Sequence, residues 1–164
     1  MKAETSDMDV LRDTLEAFLT GQVSVAELRG LSEESMEAVY GVAYTLYSNG
    51  QYAQAAKVFQ FLCIYDHLEG KYPLGWGASL FMQGEYAQAL QAFAQAAVLN
   101  IDNPEIHLKA GECNLKLGEL EAAEMALEAA VFYAEKDATY AVILKRAKLL
   151  LSATRRKHQK KEAV

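Results

Sequence analysis

The sequence predicts an all-α solenoid of three helix pairs, and the clearest sign of it is an internal repeat. Gly50, Gly84 and Gly118 recur at equal intervals, and each begins a similar pattern: GQYAQAAKVF, GEYAQALQAF and GELEAAEMAL. Hydrophobic residues make up 52% of the 164-residue chain and charged residues 23%, which is typical of a globular protein. A repeat of this length is one helix pair, which buries its apolar face only by stacking on a neighbouring pair.

The matched positions of the repeat explain the shape of each pair. The glycine permits the left-handed backbone of a tight turn between a first helix, called helix A, and a second, called helix B. Helix B carries an anchor residue, a small residue for close approach and a large residue that fills the space between pairs. These three sets are Tyr52, Tyr86 and Leu120; Ala55, Ala89 and Ala123; and Phe59, Phe93 and Leu127. The period and pattern resemble the tetratricopeptide repeat and place the repeats at 36–69, 70–103 and 104–137.

The region before the repeats, residues 1–35, is predicted to be helical and to mediate dimerisation. An apolar stripe at helical spacing ends at Gly21, and Ser24 with Glu27 forms a capping-box pattern that starts a short second helix. The stripe has no repeat of its own to pack on. We therefore expect a homodimer through Leu11, Leu15, Phe18 and Leu19.

The region after the repeats, residues 138–164, is predicted to be a capping helix with a basic tail. The tail reads RRKHQKKEAV, and cations are favoured near a helix C-terminus. The helix covers the open end of the solenoid with Tyr140, Val142, Ile143, Leu144, Ala147, Leu150 and Leu151.

The charge distribution argues against several classes of function. The net charge of −6 divides into −13 for residues 1–137 and +7 for the remainder, and an acidic body disfavours nucleic-acid binding. No apolar run approaches the ~20 residues that cross a bilayer, and the acidic N-terminus lacks the apolar core of a signal peptide. We therefore expect a cytoplasmic protein in which Cys63 and Cys113 are buried, reduced thiols.

Residues for chemistry are sparse, so we expect no enzyme activity, no metal and no cofactor. His67, His107 and His158 are far apart, and none has a second His or Cys at metal-ligand spacing. No nucleophile is paired with a base. The sequence GWG at 75–77 lies within a helix A and lacks the strand that precedes a phosphate-binding loop. A solvated acidic face is expected at Glu112, Glu119, Glu121, Glu124 and Glu128.

A stripe of tyrosines is the feature that most needs a function. Tyr40, Tyr44 and Tyr47 share one face of the first helix A, beside an aliphatic stripe that is expected to be core: Val39, Val42, Ala43 and Leu46. In tetratricopeptide arrays the A helices line a concave groove, so the resemblance implies that the tyrosines lie in it. The other groove positions are Lys71, Leu74, Ala78, Phe81 and Met82 in the second repeat, and Leu108 and Leu115 in the third. Glu112 and Lys116 make the third repeat the least apolar part.

Such a groove suits an extended apolar segment, because it offers aromatic and aliphatic surface with the small Ala78 between larger neighbours. The alternative is that the tyrosines are covered by neighbouring helices and are ordinary core packing.

Longer stretches resemble the class II chaperones of bacterial type III secretion, which bind the pore-forming translocator proteins. The likeness covers roughly residues 10–150 and is carried by LSEESMEAVYGVAY, LYSNGQYAQAAKVFQFLCIYDHLEGKYPLGWGASLFMQGEYAQAL and AGECNLKLGELEAAE. The resemblance implies a non-catalytic cytoplasmic chaperone that holds an extended translocator segment in its concave groove. It also implies self-association through the N-terminal helical region.

Two other functions remain open from the sequence. One is a scaffold that joins folded partners, or a co-chaperone that clamps an acidic C-terminal peptide; the clamp needs Lys, Arg and Asn where this chain has Tyr40 and Tyr44. The other is assistance to a transcription regulator, as in some members of the family. The sequence does not identify the client, meaning the protein whose segment is bound, nor the number of clients or the release step.

Overall fold

The computed structural model describes residues 13, 14, 16, 17, 20 and 22–162, with side chains as far as Gln159. Within these residues the predicted all-α solenoid is confirmed. The helices are α1 (Val25–Leu28), α2 (Glu33–Ser48), α3 (Tyr52–Tyr65), α4 (Lys71–Met82), α5 (Tyr86–Leu99), α6 (Pro104–Leu117), α7 (Leu120–Ala134) and, after a short 3-10 helix at Ala138–Tyr140, α8 (Ala141–Glu162).

From α2 to α8, consecutive helices pack against each other. The A helices are α2, α4 and α6, and the B helices are α3, α5 and α7. Three clusters of buried side chains follow one another along the stack, centred on Phe59, Phe93 and Leu127. The third cluster is completed by α8, so the last helix pair has its open side covered.

The N-terminal flank contains the predicted short helix α1. Its capping box is confirmed, because the Glu27 N–H donates to Ser24 Oγ at 3.2 Å and the Ser24 N–H donates to Glu27 Oε2 at 2.7 Å. Helix α2 is capped by Ser32 and begins at Glu33, just before the predicted repeat boundary. The predicted dimerisation residues, Leu11, Leu15, Phe18 and Leu19, lie outside the described residues.

The turns between helices A and B have the predicted left-handed glycine. The φ angles of Gly50, Gly84 and Gly118 are 76°, 82° and 83°. In each turn the residue after the glycine donates its N–H to the carbonyl five positions earlier, as Glu85 does to Leu80 at 3.0 Å. This bond satisfies a carbonyl that the helix end would otherwise leave unpaired.

We expect Gly84→Val to lower the free energy of unfolding by about 1–2 kcal/mol, because a β-branched residue is strained at a φ of 82°. Nothing lies within 4 Å of the position that a Cβ atom would take, so the strain arises from the backbone alone. Urea unfolding followed by circular dichroism measures the effect. Gly84→Asn is the matched control and should cost less, since asparagine tolerates this conformation. A midpoint for Gly84→Val equal to that of the wild type would contradict this account of the turn.

The GWG sequence is explained by close packing. A Cβ atom on Gly77 would lie 2.6 Å from the ring of Phe93, and one on Gly75 would clash with the ring of Phe59. Gly111, at the position of the third repeat that corresponds to Gly77, meets Leu127 in the same way at 2.8 Å. The two glycines of GWG therefore let large residues of helices B lie directly against α4.

Candidate functional site: the concave groove

The tyrosine stripe of α2 is partly core and partly exposed. Tyr40 packs on Phe59 and Tyr72, with ring centroids 5.9 Å away in both cases, and is half-buried. Its other side stacks on Tyr44 at 6.4 Å, and Tyr44 is 58% exposed. The alternative that the whole stripe is ordinary core packing therefore fails for Tyr44, because its ring is exposed to solvent and contacts the half-buried Tyr40 on one side.

An aromatic pair recurs where each of the first two A helices meets its own helix B. Tyr47 packs edge-on against Tyr52 with centroids 5.3 Å apart and planes at 65°, and Phe81 packs against Tyr86 with the same distance and angle. Tyr47 and Phe81 occupy equal positions of adjacent repeats, and both are half-buried. Their rings are thus held in place on one side and accessible on the other, as a preorganised binding surface requires.

The hydroxyl groups of the half-buried tyrosines remain protonated at neutral pH. Burial raises the pKa of Tyr47 and of Tyr40, and for Tyr40 this outweighs the opposite effect of the neighbouring Lys71 ammonium. A protonated phenol both donates and accepts hydrogen bonds. Tyrosines in this state suit a groove that meets the carbonyls of an extended peptide.

Helix α4 carries the groove residues predicted for the second repeat. Leu74, Ala78 and Phe81 are half-buried, and Met82 is 47% exposed. Lys71 lies at the start of this helix, where its Nζ is 2.6 Å from Glu37 Oε2 and 4.9 Å from the centroid of the Tyr40 ring. This ion pair joins α2 and α4 at one end of the tyrosine stripe.

The third repeat departs from the predicted groove, because α8 packs against both α6 and α7. Leu108 is 4% exposed and belongs to the buried cluster with Leu127, Ala147 and Leu151. The prediction that Leu108 lines the groove is therefore corrected: its side chain is core. Leu115 is half-buried and packs against the same cluster.

The expectation of a solvated acidic face is wrong for Glu112. Its side chain is 7% exposed, and Oε1 accepts hydrogen bonds from Arg146 of α8 at 2.5 Å, while Oε2 lies 3.4 Å from Lys109 Nζ. Sequence reasoning missed this network because it treated the basic C-terminal region as a solvated end. The repeat itself held the signal, since Arg146 follows Glu112 at the spacing of one repeat.

Two further expectations need correction. Val42 is 55% exposed, so the aliphatic stripe of α2 is not wholly core. Cys113 is buried as predicted, whereas Cys63 is only partly buried; both thiols are free, and burial raises the pKa of each to about 12. Thiols with so high a pKa are poor nucleophiles at neutral pH.

The described residues contain no group of three or more His, Cys, Asp or Glu side chains that could hold a metal ion. Within the same part of the chain, none of the helices combines the length and the apolar character that crossing a membrane requires.

Family models of the tetratricopeptide repeat match residues 36–68 and 80–149. The low calcium response locus protein H of Yersinia pestis is 35% identical over 127 residues, which are 77% of this chain and 76% of that protein.

Solved structures resemble the chain over most of its length. A type III secretion complex from Aeromonas hydrophila matches with a TM-score of 0.86 and 31% identity over 90% of this chain and 98% of that one. The Yersinia enterocolitica type III secretion chaperone SycD, in complex with a peptide of the translocator YopD, matches with a TM-score of 0.75 and 33% identity over 78% and 98% of the chains. A second SycD structure, described as an alternative dimer, matches with the same TM-score and identity over 78% and 97%.

Proposed function

This chain belongs to the tetratricopeptide-repeat chaperones of type III secretion translocators. From that premise we propose that its concave groove binds an extended segment of a hydrophobic translocator protein in the bacterial cytoplasm, before export. The chain acts by binding and not by catalysis. Because a translocator later enters a membrane, its apolar segments would aggregate or insert into the wrong bilayer if they were left uncovered.

The observation that carries this proposal is the exposed ring of Tyr44, which stacks on the half-buried Tyr40. Tyr40 stacks beneath it and Phe81 lies on the neighbouring helix A, held by Tyr86. A groove that had only to remain in water would present charges here. Aromatic rings give a large contact area at a small cost in side-chain entropy. The Tyr44 hydroxyl can hydrogen-bond to water while the groove is empty.

Co-expression tests the function directly. The translocators of the same secretion system, produced alone, are expected to be insoluble; produced with this chain, one of them should remain soluble and co-elute with it in size-exclusion chromatography. A translocator that stays insoluble in the presence of the chain, for every translocator of the system, would contradict the proposal.

We also propose that the chain forms a homodimer through Leu11, Leu15, Phe18 and Leu19. Support comes from the apolar stripe in the sequence and from the dimeric SycD relative. Deleting residues 1–21 should leave the helical circular-dichroism signal nearly intact and reduce the sedimentation coefficient to that of a monomer. An unchanged sedimentation coefficient would refute this interface.

The alternative of a clamp for acidic C-terminal peptides is disfavoured. Its Lys, Arg and Asn side chains would occupy positions that Tyr40 and Tyr44 hold in this chain.

A further inference from the structure

The third helix A gives the groove a charged wall. On one face of α6, four charged residues follow one another at steps of three and four residues: Glu105, Lys109, Glu112 and Lys116. The groove therefore changes from apolar to charged between α4 and α6, and Phe81 of α4 lies at this boundary, 5.5 Å from Lys109 Nζ to its ring centroid.

The negative charge of Glu112 is compensated by a cation of α8. Glu112 is 6% exposed, and Arg146 of α8 donates to one of its carboxylate oxygens at 2.5 Å. Arg146 is sufficient to supply the opposite charge that a buried carboxylate needs. With Arg146 counted, the three cations Lys109, Lys116 and Arg146 outnumber the two carboxylates of Glu105 and Glu112, so the local balance is cationic although the repeats and the N-terminal region together are acidic.

Lys109 has capacity for another partner. Its ammonium group has three N–H donors, and the contact with Glu112 Oε2, at 3.4 Å, uses one of them. The side chain is 26% exposed, so it is partly shielded from water but open to an incoming group. Glu105, by contrast, adds its negative charge near Tyr47. The charged face of α6 is thus negative at the Glu105 end and positive toward Lys109 and Lys116.

We propose that the groove selects client segments that carry Asp or Glu two residues away from the apolar side chain that rests on Phe81, with the carboxylate accepting a hydrogen bond from Lys109. This inference rests on the proposed function, since it refines what the same groove binds. In an extended segment, side chains two residues apart point to the same side and lie about 7 Å apart. That spacing places a carboxylate beside Lys109 when its neighbour covers the Phe81 ring.

A display library of random dodecapeptides, selected on the wild type and on variants, tests the inference. Wild-type selections should yield apolar peptides enriched in Asp or Glu two positions away from an aliphatic or aromatic residue. Selections on Lys109→Met should yield similar apolar residues without the acidic enrichment, because Arg146 still satisfies Glu112. Lys57→Met is the matched control: it removes the same charge from an exposed position of α3, a helix B outside the groove, and should retain the enrichment.

Binding by calorimetry gives the magnitude. For a selected peptide, changing its Asp to Asn should weaken binding to the wild type about five- to tenfold, and binding to Lys109→Met hardly at all. Absence of acidic enrichment in the wild type, or its persistence in Lys109→Met, would overturn the inference. Selected peptides that bind Tyr44→Ala as tightly as the wild type, or a selection without apolar residues, would instead contradict the proposed function, and the inference would fall with it.

Discussion

Gly77→Val is expected to lower the free energy of unfolding by about 3 kcal/mol or more, because it overfills a closed core. A Cβ atom at this position would lie 2.6 Å from the ring of Phe93. That ring is 1% exposed and packs among Ala89, Ala92 and Ala96, so it has little room to move. The clash would force α4 away from α5 and disturb the helix that carries Leu74, Ala78 and Phe81.

Gly41→Val is the matched control for this substitution. Gly41 also lies inside a helix A, but nothing is within 4 Å of the position that its Cβ atom would take. We expect its stability to stay within about 0.5 kcal/mol of the wild type. The variants are compared by their urea unfolding midpoints at constant m-value. If Gly77→Val has the same midpoint as Gly41→Val, the packing explanation of GWG is wrong.

Arg146→Met is expected to destabilise the fold by about 2 kcal/mol, because it leaves the buried Glu112 carboxylate with only the longer, 3.4 Å contact to Lys109. Removing one partner of a fully buried ion pair costs about 3–5 kcal/mol, and the smaller figure applies here because Arg146 is 60% exposed. Lys145→Met changes the same charge at an exposed neighbouring position of α8 and should have almost no effect.

The double variant Glu112→Met with Arg146→Met separates charge from packing. Apolar residues of similar volume often replace a buried ion pair without loss, so the double variant should regain most of the stability that Arg146→Met loses. Equal stability of Arg146→Met and the wild type in thermal unfolding would show that the pair contributes nothing to holding α8 against α6.

The turns and the core were predictable because each structural position of the repeat occurs three times in the sequence, so residues at equivalent positions can be compared. Gly84 was assigned a left-handed turn since Gly50 and Gly118 stand at the same point, and all three have positive φ. Helix pairs in such arrays contact mainly their neighbours, so local pattern determines most of the fold. The boundaries of the repeats remain predictions.

The third repeat of the groove was less predictable, because its surroundings come from outside the repeats. Leu108 stands at a groove position of the repeat, yet α8 covers it with Ala147 and Leu151. The repeat position specifies which way a side chain points but not whether another helix lies there. A capping helix was expected, but how far its 22 residues reach over α6 depends on packing that no local pattern encodes.

Ion pairs across repeats could have been found from the sequence. Glu37 pairs with Lys71 and Glu112 with Arg146, in each case at the spacing of one repeat. Residues at equal positions of adjacent repeats lie side by side, so opposite charges at this spacing predict a contact. The same rule applied to α8 indicates that it continues the register of the A helices.

The central claim is that the Tyr44 ring contacts the client, and calorimetry with a client peptide tests it most directly. The peptide is the translocator segment that the chain protects from proteolysis in the co-expressed complex. Tyr44→Ala should weaken binding at least tenfold, since truncating a central aromatic contact typically costs ~2 kcal/mol. The control is Phe132→Ala, which removes a ring of equal exposure from a helix B: Phe132 is 57% exposed and Tyr44 is 58% exposed. This variant should bind the peptide like the wild type. Tight binding by Tyr44→Ala, with helicity unchanged, would contradict the claim.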